Sequence, residues 1–225
     1  MKHSRSSAEW EIRDAVVARF RELWPNARII HEMNVEHGSS RADVVAVQPE
    51  RLWICEIKSE RDKLDRLAGQ IKDFGPACHG LIIAAHEKWT RREQVVVPER
   101  ITRSGLRTGG YTTEGESLLD KAAIHTSRYT TWTYPEPEQR YVRDWAAPFE
   151  ARVPWYHRML LLLWSDELRC VASAHRVASN SRTPGYKLAR ELSAHLSGRE
   201  IERAVCKMLR LRSFTEADAP VEVAA

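Results

Sequence analysis

The 225-residue chain has few cysteines and no long apolar segment. Its four cysteines are too widely spaced for a metal-binding pair or a disulfide framework, which favours a reducing cytoplasm. The longest apolar run, residues 159–164, is far too short to cross a bilayer. The first residues lead into a charged helix and not into the apolar region of a signal peptide. We therefore expect a cytoplasmic globular protein with no membrane partner.

The chain also lacks a strong charge imbalance. Its 35 basic and 31 acidic residues give a net charge of +4 at pH 7. Most of the basic residues are arginines, whose planar guanidinium suits bidentate contacts to phosphate. A GC-rich genome that favours arginine codons would produce the same composition. The charge therefore permits nucleic acid as a partner without establishing it.

Two apolar runs, residues 41–47 and 52–58, are separated by a polar break that contains Pro49. This pattern predicts a β-hairpin. Asp43 opens the first strand, and Glu56 and Lys58 lie on one face near the end of the second, since strand side chains alternate. A carboxylate and an ammonium inside apolar strands are costly to bury unless they pair or hold a metal ion. The hairpin is therefore the first candidate for a site.

The segment before the hairpin predicts a helix over residues 8–24, in which apolar residues recur at three- and four-residue spacing. Glu9 lies on this apolar stripe, whereas Glu11 projects away from it toward solvent. Glu9 would stabilise the positive helix N-terminus wherever it pointed. Because Asp43 and Glu56 offer two further carboxylates, we favour Glu9 as a site residue that turns inward.

The remaining pattern predicts an α/β protein with a central mixed sheet flanked by helices. A strand over residues 27–35 precedes the hairpin, and a helix ending near Phe74 carries Gln70 and leads to an apolar strand over residues 80–85. A helical crossover would make that strand parallel to the Lys58 strand.

The second half of the chain divides into two predicted parts. Residues 101–150 suggest an irregular extension, with one candidate strand at residues 129–134. Residues 151–225 predict a small C-terminal helical domain with helices at residues 155–168, 186–196 and 199–211. A basic set on the last helix is either a solvated or dimer-forming face or a second DNA surface, and the tail from residue 215 is expected to fray. The basic set consists of Arg199, Arg203, Lys207, Arg210 and Arg212.

The motif residues resemble a known family. Asp43, followed thirteen residues later by Glu56-Ile57-Lys58, resembles the signature of the PD-(D/E)XK nuclease superfamily. Residues 8–12 resemble the glutamate-bearing first helix of archaeal Holliday-junction resolvases, and residues 41–44 with 56–59 look closest to small bacterial and phage MmcB-like members. Residues 70–74 resemble the Gln-x-x-x-Tyr helix motif of RecB-like members. The resemblance covers residues 8–97, with Ala42 and Phe74 replacing the family's proline and tyrosine.

This resemblance implies a restriction-endonuclease-like core in residues 1–100 that cleaves DNA with Mg²⁺ or Mn²⁺. Asp43, Glu56 and Glu9 carry over as catalytic metal ligands, and the main-chain carbonyl of Ile57 is a natural further ligand. Lys58 would orient or deprotonate the attacking water, or stabilise the charged phosphate. Nucleases of this type often pair to cut both strands, so a homodimer is expected as one arrangement.

Gln70, on the following helix, would position a metal-bound water or a DNA phosphate and is included among the catalytic residues. The leading hypothesis is a metal-dependent DNA nuclease acting in repair, recombination, defence or phage DNA metabolism. The rival is a non-catalytic DNA-binding or scaffold protein that retains the fold. A third interpretation is a regulator that acts through its C-terminal helices.

Overall fold

The computed structural model describes residues 7–35, 40–123, 129–135, 145–148 and 153–221. The helices are α1 (Ser7–Leu23), α2 (Leu67–Phe74), α3 (Glu87–Thr90), α4 (Leu118–Ala122), α5 (Tyr156–Leu160), α6 (Ser165–Ala174), α7 (Gly185–His195) and α8 (Gly198–Leu211). The strands are β1 (Arg28–Val35), β2 (Ser40–Val47), β3 (Leu52–Lys58), β4 (Gly80–His86), β5 (Gln94–Val97), β6 (Arg100–Ile101), β7 (Arg107–Thr108), β8 (Tyr111–Glu114) and β9 (Thr130–Tyr134). None of the described helices is both long and apolar enough to cross a bilayer.

A five-stranded mixed sheet in the order β1-β2-β3-β4-β9 forms the centre of the fold. Strands β1, β2 and β3 form an antiparallel meander, and β4 and β9 run parallel to β3. The α2 crossover joins β3 to β4, as a parallel pair requires. The prediction of an α/β fold with a central mixed sheet flanked by helices is confirmed, and so is the candidate strand that became β9.

Helices cover both faces of the sheet. The apolar stripe of α1, with Ile12, Val16 and Phe20, packs on one face in a cluster that includes Trp53 and Trp132. The other face packs against α2 and helices α5 to α8 in one continuous cluster. The boundaries of the predicted C-terminal helical domain stay a prediction, but its helices bury their apolar faces against the central sheet.

The C-terminal helices differ from the expectation at one place. The helix predicted over residues 155–168 is instead two helices, α5 and α6, because the chain turns at residues 161–164 and Trp164 begins a new helix with Glu167 bonded to its N–H. Helices α7 and α8 are confirmed within one or two residues. A capping box starts α8, with Ser197 and Glu200 bonding reciprocally.

The prediction of a frayed tail is wrong for residues 215–221. This segment runs along β1: the N–H of His31 donates to the carbonyl of Glu216 at 2.9 Å, and the N–H of Asp218 donates to the carbonyl of Ile29 at 2.9 Å. The Asp218 carboxylate also accepts from the N–H of Ile29 at 2.8 Å. The tail therefore covers the exposed edge of the sheet, which would otherwise present unpaired backbone groups. Residues 222–225 lie outside the described residues.

The basic set on α8 is largely structural, and a second DNA surface built from all five residues is wrong. Arg210 and Arg212 are buried, and Arg210 donates to the carbonyls of Asn26 and Val47, both at 2.9 Å. Arg203 pairs with Glu50 at 2.7 Å. Packing the end of α8 against the sheet thus removes two of the five cations from solvent, which the helical pattern alone did not show.

Residues 91–116 form a long hairpin, called here the arm. Its inner tier pairs β5 with β8, and its outer tier pairs β6 with β7. The apolar triplet at residues 95–97 lies within β5. The arm and β9 replace much of the irregular extension expected over residues 101–150. Within that extension, residues 124–128, 136–144 and 149–150 lie outside the described residues.

Candidate active site

The candidate site lies where β2 and β3 separate. Their ladder ends at the pair Val44–Cys55, and continuing the register would place Asp43 opposite Glu56. Instead, the Asp43 carboxylate accepts the backbone N–H of Ile57 at 2.8 Å through Oδ2. The Asp43 side chain thus accepts the hydrogen bond that the backbone of β2 would otherwise accept from β3. The carboxylates of Asp43 and Glu56 lie where the two strands separate.

Glu56 forms the buried half of the site, and only 3% of it is exposed. Its Oε1 accepts from Lys58 Nζ at 2.7 Å and from the side-chain amide of Gln70. Lys58 Nζ also donates to Gln70 Oε1 at 3.0 Å, which closes a three-residue ring. Among the described residues, Glu56 Oε2 is buried without any hydrogen-bond partner.

Burial makes the ionised form of Glu56 costly. Desolvation, reinforced by the negative charge of Asp43, raises the pKa of Glu56 to about 8, against the opposing pull of Lys58. The pKa of Asp43 is also raised, mainly by burial, while the Ile57 N–H and Arg13 oppose the increase. A positive charge placed between the two carboxylates would favour the ionised form of both.

Arg13 forms the centre of the other half of the site. Its side chain is fully buried, and Nη2 lies 2.9 Å from Glu9 Oε1, 2.9 Å from Glu32 Oε1 and 3.4 Å from Asp43 Oδ1. Its Nη1 donates to the backbone carbonyl of Asp43 at 2.5 Å. One guanidinium therefore binds three carboxylates and fixes the strand position that carries Asp43.

Glu32 reaches Arg13 from an unusual backbone conformation. Its φ of 55° lies in the left-handed region, inside a strand whose register would set it opposite Asp43. Such a conformation is costly for a non-glycine residue and tends to occur at functional sites. Glu32 also pairs through Oε2 with Arg41 at 2.6 Å.

The structure brings the predicted site residues together in two connected groups. Glu56, Lys58 and Gln70 form one group, and Glu9 joins Asp43 through Arg13 in the other. Glu9 turns inward, whereas Glu11 is exposed and bonds to Tyr134. The roles assigned to these residues stay predictions.

The backbone of Ile57 lies at the opening between β2 and β3. In a hydrogen-bonded strand position, the N–H and C=O of one residue point to the same side. Since the Ile57 N–H meets Asp43, its carbonyl points toward the same opening between β2 and β3. This carbonyl lies in the position expected of a further oxygen ligand.

Sequence reasoning missed Arg13 and Glu32. Arg13 had a detectable signal, because it lies four residues after Glu9 and interrupts the apolar stripe between Ile12 and Val16. Glu32 had only its place inside an apolar strand. Its contact with Arg13 depends on the left-handed backbone, which no residue pattern indicated.

The donor set fits a hard divalent cation at Asp43 and Glu56. Mg²⁺ and Mn²⁺ prefer carboxylate and carbonyl oxygens, and the unpartnered, buried Glu56 Oε2 is an oxygen that such an ion would satisfy. The ligand atoms of Glu9, Glu32 and Asp43 lie within 4.8 Å of one another, but the Arg13 guanidinium already occupies that group. Glu9 is thus neutralised by Arg13 in this structure.

Comparison with known proteins finds one family. Residues 2–103 match the family profile of bacteriophage P4 protein cII. The match covers less than half of the chain, from α1 to β6, and contains every candidate site residue. The N-terminal part of the chain is therefore similar to this phage family. No curated protein and no solved structure matches the chain.

Proposed function

We propose that this protein is a metal-dependent deoxyribonuclease with a restriction-endonuclease-like core. The observation that carries the proposal is the buried, unpartnered Oε2 of Glu56, held beside Asp43 and next to the Lys58 ammonium. A buried carboxylate oxygen without a partner is costly unless a cation binds it. The similarity to a phage family favours phage DNA metabolism over general repair, recombination or defence.

Hydrolysis of a phosphodiester requires a water nucleophile and stabilisation of the negative charge that develops on the phosphate. A bound Mg²⁺ or Mn²⁺ supplies a positive charge and lowers the pKa of a coordinated water. In this chain Asp43 and Glu56 would hold the ion, with the Ile57 carbonyl as a further ligand. The Ile57 N–H orients the Asp43 carboxylate for this task.

Lys58 is the residue placed to act on the phosphate. Its ammonium is fixed by Glu56 and by Gln70, so it points into the site with little freedom. A fixed ammonium stabilises a developing oxyanion without reorganising during the reaction. Gln70 is then a positioning residue, because it bonds to both members of the Glu56–Lys58 pair and orients them.

One observation favours a second candidate, a non-catalytic DNA-binding protein in the cytoplasm. The Arg13 guanidinium already neutralises Glu9, Glu32 and, at a longer distance, Asp43. A protein that had replaced its metal ion with an internal cation would show this arrangement. Such a protein would bind DNA and would not cleave it.

A cleavage assay separates the two candidates. Supercoiled plasmid and labelled linear duplex would be incubated with the wild type, Asp43→Asn and Lys58→Met, each in Mg²⁺, Mn²⁺ and EDTA. The nuclease proposal expects cleavage by the wild type in metal only and a loss of about 10³-fold or more in both variants. Glu11→Gln is the matched control, since Glu11 lies on the same helix as Glu9 but faces solvent, and it should retain full activity. Equal absence of cleavage in the wild type and Asp43→Asn would refute the nuclease.

A further inference from the structure

The arm, residues 91–116, projects from the body of the protein. Its two tiers are closed by backbone bonds, including Gly110 N–H to the Val97 carbonyl at 2.8 Å and Thr102 N–H to the Leu106 carbonyl at 2.9 Å. About ten residues per strand give it a reach of about 30 Å. From residue 91 to residue 114, all residues are exposed except Val97 and Gly109, which are half-buried.

The arm exposes apolar side chains that a free hairpin would not be expected to carry. Val96 is 71% exposed and Ile101 68%, and Leu106 and Tyr111 are nearly as exposed. A lone two-stranded hairpin is marginally stable in water, and a cluster of exposed apolar side chains usually marks a binding surface. This points to a partner that covers the arm.

The outer tier of the arm is basic. Arg100, Arg103 and Arg107 lie on it and are exposed, whereas Glu99 is its one carboxylate and pairs with Arg107 at 3.5 Å. Three arginines beside exposed aliphatic side chains would repel the outer tier of a second copy. They complement a polyanion with apolar sugar and base surfaces, which is the chemistry of nucleic acid.

Helix α3, which leads directly into the arm, is bonded to the two residues that follow Lys58. Trp89 Nε1 donates to the Ser59 carbonyl at 2.8 Å, and Lys88 Nζ donates to the Glu60 carbonyl at 2.9 Å. Ser59 directly follows Lys58. Because β3 and β4 are parallel, their C-terminal residues, Lys58 and His86, lie at the same end of the sheet. The arm follows β4 and α3 and so leaves the body at that end.

We propose that the arm is a clamp that lies in a groove of duplex DNA and holds it against the candidate site. This inference rests on the proposed function for its substrate. The major groove of B-DNA admits a two-stranded β-ribbon, which is the shape of the arm. Arg100, Arg103 and Arg107 contact phosphates, and the exposed aliphatic residues contact the groove.

A binding experiment without cleavage tests the clamp. Fluorescence anisotropy in EDTA would measure the affinity of the wild type and of the triple variant R100Q/R103Q/R107Q for a 20-base-pair duplex. The matched control is R182Q/R190Q/R199Q, which removes the same charge from exposed positions on the C-terminal helices and the loop before α7. The arm variant should bind at least about tenfold more weakly, and the slope of log K against log salt should fall by about 2 to 3.

The outcomes distinguish the clamp from the nuclease. Loss of binding in the arm variant, with binding retained in the control, supports the clamp even if no metal-dependent cleavage is found. Wild-type affinity in the arm variant, or an equal loss in the control, overturns the clamp and leaves the nuclease proposal standing. Unchanged affinity with a lower molecular mass in solution would instead assign the arm to a second copy and overturn the clamp.

Discussion

Replacing Arg13 with methionine should destabilise the protein strongly at neutral pH. Methionine keeps most of the apolar volume of the arginine stem but removes the cation that binds Glu9, Glu32 and Asp43. The Arg13 side chain is fully buried, and its three partners are each less than a quarter exposed, so solvent screens this group weakly. Removing one member of a buried ionic network typically costs about 3–5 kcal/mol.

The loss should depend on pH and on metal ions, which a simple packing defect would not. Because burial raises the pKa of Asp43, acid protonates this carboxyl, and the difference from the wild type should therefore be smaller at pH 4 than at pH 7. At pH 7 the emptied group of three carboxylates should bind Mn²⁺, and a saturating concentration of 100 times Kd should return about 2.7 kcal/mol. Guanidinium chloride unfolding at pH 4 and pH 7, with and without Mn²⁺, measures both effects.

Two control variants complete the test. Arg13→Lys keeps a charge but loses the planar fork, and an intermediate loss is expected. Arg19→Met removes an arginine of the same helix that donates to the Trp145 carbonyl at 2.8 Å and, among the described residues, pairs only with the exposed Glu22. Because an exposed ion pair contributes little, this variant should show no Mn²⁺ effect and a much smaller pH dependence than Arg13→Met. A loss below about 1 kcal/mol in Arg13→Met, or an equal loss at both pH values, would refute the assignment of Arg13 as the internal cation.

Three further predictions concern Glu56, Arg28 and Gln70. Burial raises the pKa of Glu56 from 4.5 to about 8 in the folded protein. Between these two pH values the folded state binds more protons than the unfolded state, so the stability of the metal-free protein should fall as pH rises through this range. Mn²⁺ binding at pH 7 should therefore release protons, which titration calorimetry in buffers of different ionisation enthalpy detects; no release would contradict the pKa. Arg28→Met should lower the free energy of unfolding, measured in urea, by about 3 kcal/mol or more, because it leaves buried carbonyls without a donor. The buried Arg28 guanidinium donates to three carbonyls at the end of α8: Leu209 at 2.8 Å, Arg210 at 3.0 Å and Arg212 at 2.7 Å. Gln70→Ala should slow cleavage about tenfold and shift the pH profile of cleavage, since it frees Lys58 and Glu56, whereas Lys72→Ala on the same helix should do neither.

Much of the fold could be predicted from the sequence because local patterns of apolar residues specify its main helices and strands. The apolar stripe of α1 and the apolar runs of β2 and β3 identified these elements. The crossover rule then predicted that β4 is parallel to β3. The same periodicity placed Glu56 and Lys58 on one face and turned Glu9 inward, because helix and strand geometry leaves a side chain little choice of direction.

What the sequence missed depended on contacts between distant residues. The tail along β1 and the burial of Arg210 arise where α8 packs on the sheet, and no local pattern marks an arginine that will donate to carbonyls elsewhere in the chain. The arm as a whole was missed because its strands are short and mostly exposed, so they show no burial pattern.

At the site itself, the sequence determined which acids were available, and the tertiary structure decided how they are neutralised. Asp43, Glu56 and Lys58 were recognisable from their spacing on adjacent strands. Only the folded chain shows that Arg13 binds Asp43, Glu9 and Glu32, while Glu56 Oε2 is left without a partner among the described residues. The physical reason is that charge compensation depends on distances of 3–4 Å between side chains from separate elements, and those distances are set by packing.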